Sequence, residues 1–523
     1  MIGSASTRFS TRTAAGVIIG VSVLGFFVVM IATTRYGPGV NPDSANYIAA
    51  AKSLLAGRGF VRYDGDPFVH WPPLFPSVLA LLELTGIDPV VGARWLNAGL
   101  FALVIAVSGT WFLKVTRRPV MAAVGTLALL SVPLLDISVH VMSDPLFVLL
   151  TILALWKMQD FLASPGVGPV LTGAVLVALA CLTRYLGVTL AATGCVLLLL
   201  DRGSSVRRRL GNGLLFGGLS VLPLALWLWR NLLVVGSLAG RRHPSPNTLV
   251  TCLSQTGTAF AAMLLPWQAA RMVPGLVWLG GLVVLLLVCI RLVLRRRAGR
   301  GLDWRSPGLL PSAAFIVVYV AALNVSTMMV YLNTIQLRFL SPVVVSLVLV
   351  LLLACAEAFP TPKAVPTEDK RRPRSRRLRS VLAAAAVLLI LLTASRAVVR
   401  VVLWVEDGAG GCNRKRFRES ATVAYVRTHD LNDPLYCNKP EVLWFLAGRR
   451  SVKSPLRPYS AADVAGRSET DHVRGWFGQG DAASFVWLDG RARSYIYRPA
   501  EIAEHVEMTL VADLPDGAVY EVR

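Results

Sequence analysis

The feature that most limits what this chain can fold into is a series of apolar runs. Each approaches the roughly 20 residues that carry an α-helix across a bilayer. The first covers 14–33, and others lie near 92–113, 119–140, 145–162, 167–183, 186–200, 210–229, 273–294, 308–329, 339–357 and 380–400. Hydrocarbon offers no hydrogen-bonding partner, so each run must satisfy its own backbone as helix. The expected fold is therefore mainly α and polytopic, with about eleven transmembrane helices. With 54% hydrophobic and only 16% charged residues, the 523-residue chain is no ordinary soluble enzyme.

Three apolar stretches need separate treatment. The first run follows Arg8 and Arg12 and is long for a signal peptide, with no convincing small-residue cleavage site, so it reads as a retained helix. The stretch from Trp71-Pro72-Pro73 to about residue 82 is short and begins in prolines, which favours an interfacial or re-entrant piece. Residues 248–266 read the same way.

The formal charge of +23 belongs to topology. Residues 1–404 hold 37 basic and 13 acidic side chains, while 405–523 hold 16 and 17. Of the 37, 24 fall at the N-terminus or in loops assigned to the cytoplasm, among them Arg207-Arg208-Arg209 and the proline- and arginine-rich connector 360–380. The positive-inside rule then puts the N-terminus in the cytoplasm and the C-terminal region outside the cytoplasmic membrane. Counting the Trp71 stretch as a span would reverse that bias. No nucleic-acid partner is expected.

Two domains follow: a transmembrane part, 1–404, whose first outer loop covers about 35–90, and an extracytoplasmic domain, 405–523. In the latter, Pro434 to Cys437 and Ser484 to Leu488 read as strands and Pro440 to Leu446 as a helix. Residues 508–522 read as a hairpin around Pro515-Asp516-Gly517, and the whole as a small α/β domain. Cys412 and Cys437 share an oxidising side, and whether they pair is left open because spacing says nothing of Cα separation. There is no CxxC pair, His/Cys zinc spacing, P-loop or GxSxG.

The acids are more informative. Of the 13 before residue 405, seven fall in segments assigned to the outer face: Asp43, Asp64, Asp66, Glu83, Asp88, Asp136 and Asp144. Carboxylates beside a bilayer can do acid–base or metal work on a membrane-borne substrate. Asp43 begins a short amphipathic stretch ending at Gly57, and Asp144 precedes Pro145 at the start of a span. Helix capping is the bland explanation of both.

Several motifs in order along the chain sharpen this. They are Asn41-Pro42-Asp43-Ser44-Ala45-Asn46-Tyr47-Ile48, Trp71-Pro72-Pro73-Leu74-Phe75-Pro76, Arg94-Trp95-Leu96-Asn97 and Ser143-Asp144-Pro145. Leu182-Thr183-Arg184-Tyr185, Trp229-Arg230-Asn231, Arg338-Phe339-Leu340-Ser341-Pro342 and, in the outer domain, Tyr436 to Glu441 and Leu446 to Arg449 follow. Together they resemble the polytopic GT-C glycosyltransferases that use polyprenyl-phosphate sugars, such as protein O-mannosyltransferases and the aminoarabinose transferases of lipid A. That resemblance implies transfer of a sugar from a polyprenyl-phosphate carrier to a glycan, lipid or protein acceptor, at an outward cavity reached from membrane lipid. It implies Asp43 as general base for inverting attack, with Tyr47 as a substrate contact. Asp144, with Asp43, would hold a divalent cation, magnesium or manganese, or orient the base. Arg184 and Arg338 would meet the donor phosphate. Aminoarabinose transferases carry a lysine before the proline of the second motif. Here His70-Trp71 stands there, making His70 a phosphate candidate and weakening any inference that the sugar is aminoarabinose.

Two other classes compete. A transporter or flippase wants ionisable groups at mid-depth and an internal repeat, neither of which is evident. A non-catalytic envelope assembly protein would need no converging acids and arginines. The enzyme reading expects Asp43, Asp144 and at least one of Arg184 and Arg338 to line one cavity.

Overall fold

In the computed structural model the chain is mainly helical. The structure describes residues 10–164, 166–201, 204–240, 242, 244–280, 309–330, 334–358, 372–457, 468–477, 482–490 and 495–523. Six of the described helices are long and apolar enough to cross a membrane: Thr11–Ala32 (α1), Pro89–Thr116, Asp144–Ala163, Val206–Val235, Leu309–Met329 and Leu337–Ala358. A bent pair, Pro119–Ala128 with Val132–Ser138, makes a seventh if it counts as one span. At 1.5 Å per residue, 22-residue α1 reaches roughly 33 Å, a full hydrocarbon thickness.

The runs 167–183 and 186–200 form helices at nearly those bounds, but they are too short to rank with the spans. The run 119–140, expected to be continuous, is broken with a 55° bend. Ser131 is extended, and Pro133 falls in the first turn of the second piece, where its missing N–H leaves no bond unmade. The proline stretch forms the 11-residue helix Leu74–Leu84, and 248–266 yields Leu249–Ala261 of 13 residues; neither is long enough to span. The run 380–400 lies within helix Arg372–Asp407. Much of the expected 273–294 span, and the connector up to residue 371, lie outside the described residues.

The chain divides into two compact units. The first comprises Met1–Ile31, Val69–Phe75 and Trp95–Val402. Its helices pack through small residues, as membrane helices do when backbones approach closely. Phe216 of Val206–Val235 is buried against Gly194, where any Cβ would collide with its ring. Leu214, Leu222, Leu226, Trp229 and Leu233 of the same helix are exposed, an apolar surface suited to lipid.

The second unit comprises Ala32–Phe68, Pro76–Arg94 and Leu403–Arg523. It contains helix α2 (Pro42–Leu55) and a five-stranded sheet of β1 (Leu435–Cys437), β2 (Val452–Lys453), β3 (Ala483–Leu488), β4 (Met508–Leu514) and β5 (Gly517–Val522). The strand order is β2-β1-β3-β5-β4, with β1 parallel to both neighbours and β5 antiparallel to β3 and β4. The strands, the hairpin and the helical turn from Pro440 thus appear where the sequence put them. Tyr436, Phe485, Tyr497, Ile502 and Val522 form the core.

The segment that follows α1 is joined to the sheet-bearing part of this unit by its backbone. Val40 donates to the Gly410 carbonyl at 3.2 Å and accepts from the Cys412 amide at 2.8 Å. Gly411, at φ +59°, lies against the Val40 carbonyl so closely that a Cβ would collide. The Asn413 amide adds a bond to the Pro38 carbonyl at 2.6 Å.

Cys412 and Cys437 are both buried and unbridged, which answers the question the sequence left open. Cys412 donates to the Glu441 carbonyl at 3.5 Å, and Cys437 accepts from the Lys439 amide at 3.3 Å. Burial pushes the Cys437 thiol up to about 12 and raises Cys412 too. A thiol so raised carries almost no reactive thiolate at pH 8. Iodoacetamide at pH 8 should therefore label neither cysteine in the folded protein and both after denaturation, read by mass spectrometry without reductant. Labelling of either in the native state would contradict this packing.

Candidate functional site

Asp144 is the first residue of its helix, and its preceding residue Ser143 makes no side-chain cap bond, so the capping explanation does not hold for that position. The carboxylate is 1% exposed, and its Oδ1 lies 2.5 Å from Nη1 of Arg184. Among the described residues, no side chain or backbone group donates a hydrogen bond to its buried Oδ2. Asn97, fully buried, fixes the approach to Asp144 by donating to the carbonyls of His140 at 2.6 Å and Met142 at 3.2 Å. The asparagine of the Arg94-Trp95-Leu96-Asn97 motif thereby has a physical role.

Arg184 is presented by an interruption. Helix Val167–Thr183 ends, Arg184 is extended at φ −147° and ψ 139°, and one tight turn follows at Tyr185–Gly187. Gly187 approaches the Cys181 backbone too closely for any larger residue. The Tyr185 hydroxyl donates to the Val69 carbonyl at 2.7 Å. Asn231, fully buried, donates to the Leu238 carbonyl at 2.9 Å. His70 is held beside them: its carbonyl accepts from Arg242 at 3.2 Å, and its ring packs where a Cβ on Gly240 would collide.

Arg338 is the second residue of Leu337–Ala358. A cation there opposes the positive end of the helix dipole, so the pair of positive charges favours an anion. Tyr319, fully buried in Leu309–Met329, donates to the Phe339 carbonyl at 2.9 Å. Its phenol lies within electrostatic reach of Asp144, Arg184 and Arg338. The first unit thus gathers one carboxylate, two guanidiniums and a phenol, a net charge of +1. Sequence reasoning missed Tyr319 and Arg242. A lone hydroxyl-bearing ring in the 309–329 run was the available signal for the first.

Asp43 belongs to the second unit, half-buried at the second position of α2. Asn41 precedes the helix without a side-chain cap bond, and the dipole there favours the Asp43 carboxylate. Tyr47 is 2% exposed, with its ring 6.1 Å from that of Phe68, which is a packing position.

A divalent cation fits Asp144 poorly. Hard cations want several oxygens, whereas a guanidinium already faces this one. Among the described residues no group of three His, Cys, Asp or Glu comes together to hold a metal.

The fold is similar to that of solved polytopic membrane proteins. Crystal structures of ArnT from Cupriavidus metallidurans match over 97% of this chain and 98% of theirs. The form bound to undecaprenyl phosphate has a TM-score of 0.54 at 16% identity, and the apo form 0.56 at 15%. A looser likeness, TM-score 0.46 at 11% identity over 90% of this chain and 68% of the other, extends to the Archaeoglobus fulgidus oligosaccharyltransferase in complex with Zn and sulfate. No protein-family model and no curated protein matches the sequence.

Breaking a buried ion pair by removing one partner strands the other charge, at a cost of about 3–5 kcal/mol. Asp144→Ala and Arg184→Ala should each lower stability by about that much. The pair of changes together should cost less than their sum, as measured by thermal unfolding in detergent. Strict additivity would show that the two side chains act independently.

Proposed function

We propose that this protein is an integral membrane glycosyltransferase that moves one sugar from a polyprenyl-phosphate carrier to an acceptor at the outer face of the cytoplasmic membrane. The observation that carries the reading is the buried Asp144–Arg184 pair gathered with Arg338 and Tyr319. It is a net-positive group at helix ends within an apolar bundle, suited to a phosphate on a lipid. The GT-C-like fold supports it.

The chemistry is a single displacement. The acceptor hydroxyl oxygen attacks the anomeric carbon while the bond from that carbon to the phosphate oxygen breaks, its electron pair staying on the departing polyprenyl phosphate. An alcohol is a weak nucleophile, so a carboxylate must take its proton as the new bond forms. We assign that role to Asp43, with inversion at the anomeric carbon. Arg338 stabilises the charge growing on the leaving phosphate. Arg184 contributes to the same end, its guanidinium held in place by Asp144. His70 follows Val69, whose carbonyl accepts from Tyr185 next to Arg184, and we assign it as a secondary phosphate contact. Tyr47, buried one turn after Asp43 and packed near Phe68, holds α2 in place. Because Arg184 already faces the Asp144 carboxylate, no step proposed here runs through a metal.

Purified protein incubated with radiolabelled polyprenyl-phosphate sugars and envelope acceptors should transfer label from at least one donor. Failure with every donor would remove the reading. With the active donor, Asp43→Asn should lower kcat by about 10²–10⁴-fold, with unfolding temperature unchanged. Arg338→Ala should act mainly on donor use, lowering kcat/KM by about 10–100-fold, the worth of a charged hydrogen bond. An unaltered donor response would make that arginine structural.

A further inference from the structure

The second unit contains a cleft of about 640 Å³ between residues 33–38, α2, residues 88–94 and the outer domain. Four basic side chains line it: Arg35, Lys52, Arg94 and Arg418. Asp88 is the one acid among its described lining residues, which together carry a net charge of +3. Lys52 and Asp88 are 3.7 Å apart and about half exposed, a rim pair that neutralises little of the interior. A concave wall of one sign focuses its field on what enters.

The guanidiniums are pre-positioned. Arg418 donates through Nε to Oδ1 of buried Asn413 at 2.9 Å, and the same amide holds the Pro38 carbonyl. Arg94 donates through Nε to Oγ1 of Thr33 at 2.9 Å. Each of these bonds uses Nε and not the Nη pair, the fork that meets phosphate or carboxylate. Rings complete the wall, with Tyr36, Trp444 and Phe445 lining the same space. Flat rings beside fixed cations suit a ligand with both an apolar sugar face and a negative group. A volume of this size accommodates a small oligosaccharide.

The cleft is not the surface that presents Asp43. At roughly 100° per residue, Ile48 and Lys52 stand roughly 140° and 180° around α2 from Asp43.

We infer that this cleft binds a negatively charged saccharide, anchoring the phosphate- or carboxylate-bearing part of the acceptor apart from the reacting hydroxyl. The assignment to acceptor rests on the transferase reading; the binding itself does not.

The test uses full-length protein in detergent, titrated calorimetrically with glucose 1-phosphate, glucose and inorganic phosphate. Glucose 1-phosphate should bind, with glucose and inorganic phosphate each at least tenfold weaker. Arg418→Gln and the exposed Arg35→Gln should weaken binding about tenfold or more, and Trp444→Leu several-fold, while Asp43→Asn leaves it unchanged. Arg35 is exposed, so its substitution separates lost binding from lost folding. Equal affinity for inorganic phosphate would reduce the cleft to a bare anion site and overturn the saccharide. So would displacement of glucose 1-phosphate by phosphatidylglycerol in nanodiscs but not by phosphatidylcholine, which would assign the cleft to lipid headgroups. Absence of binding, or binding indifferent to both arginines, would also overturn it. Because the readout is binding, an absence of sugar transfer would leave the result standing.

Discussion

A carboxylate buried at the start of an apolar helix has to find a positive partner, and in this protein the partner is Arg184. Much of the first unit serves that meeting. Asn97 secures the carbonyls of 140 and 142 ahead of Asp144. The break after Thr183 turns Arg184 out of its helix, and Gly187 lets the chain resume within one turn. Tyr319 ties a third helix to the start of a fourth, beside Arg338. Five separate stretches of sequence are thus committed to one patch of charge, in surroundings where misplaced charge is expensive.

Legibility in the sequence followed the strength of the local physics. Apolar length is imposed by the bilayer, so α1, Asp144–Ala163 and Leu309–Met329 lie close to where hydropathy puts them. The hairpin was visible because Pro515-Asp516-Gly517 leaves the chain few other courses. The bend at Ser131 was missed because Pro133 is compatible with either a kinked or a restarted helix, and only packing decides. Asp144 looked like a helix cap because Ser-Asp-Pro is a common helix start. That its side chain turns inward to an arginine some forty residues later is a tertiary fact. The motif resemblance brought Asp144, Arg184 and Arg338 forward together, but it could not say that the first two would neutralise one another. Tyr319 left no pattern beyond being a hydroxyl in an apolar run.

Asparagine and glycine do much of the joining in both units. An asparagine amide can donate and accept at once, and Asn413 does both, to Pro38 and from Arg418. Such residues carry no charge into the interior and still fix two segments, which is why they occur where loops meet helices. Glycine complements them by removing a side chain where two backbones must touch, as at Gly411 and Gly187.

The bridge between Val40 and Gly411 has a consequence for how the protein is made. Its two strands of backbone are separated by some 370 positions in the chain, nearly the whole membrane part. At about 5–20 residues per second, a ribosome needs roughly 20–75 seconds to cover that interval. Through that time the segment around Val40 has already been translated, while the backbone that completes its hydrogen bonds does not yet exist. Biogenesis of this unit must therefore finish last, after the helices between its halves have been inserted.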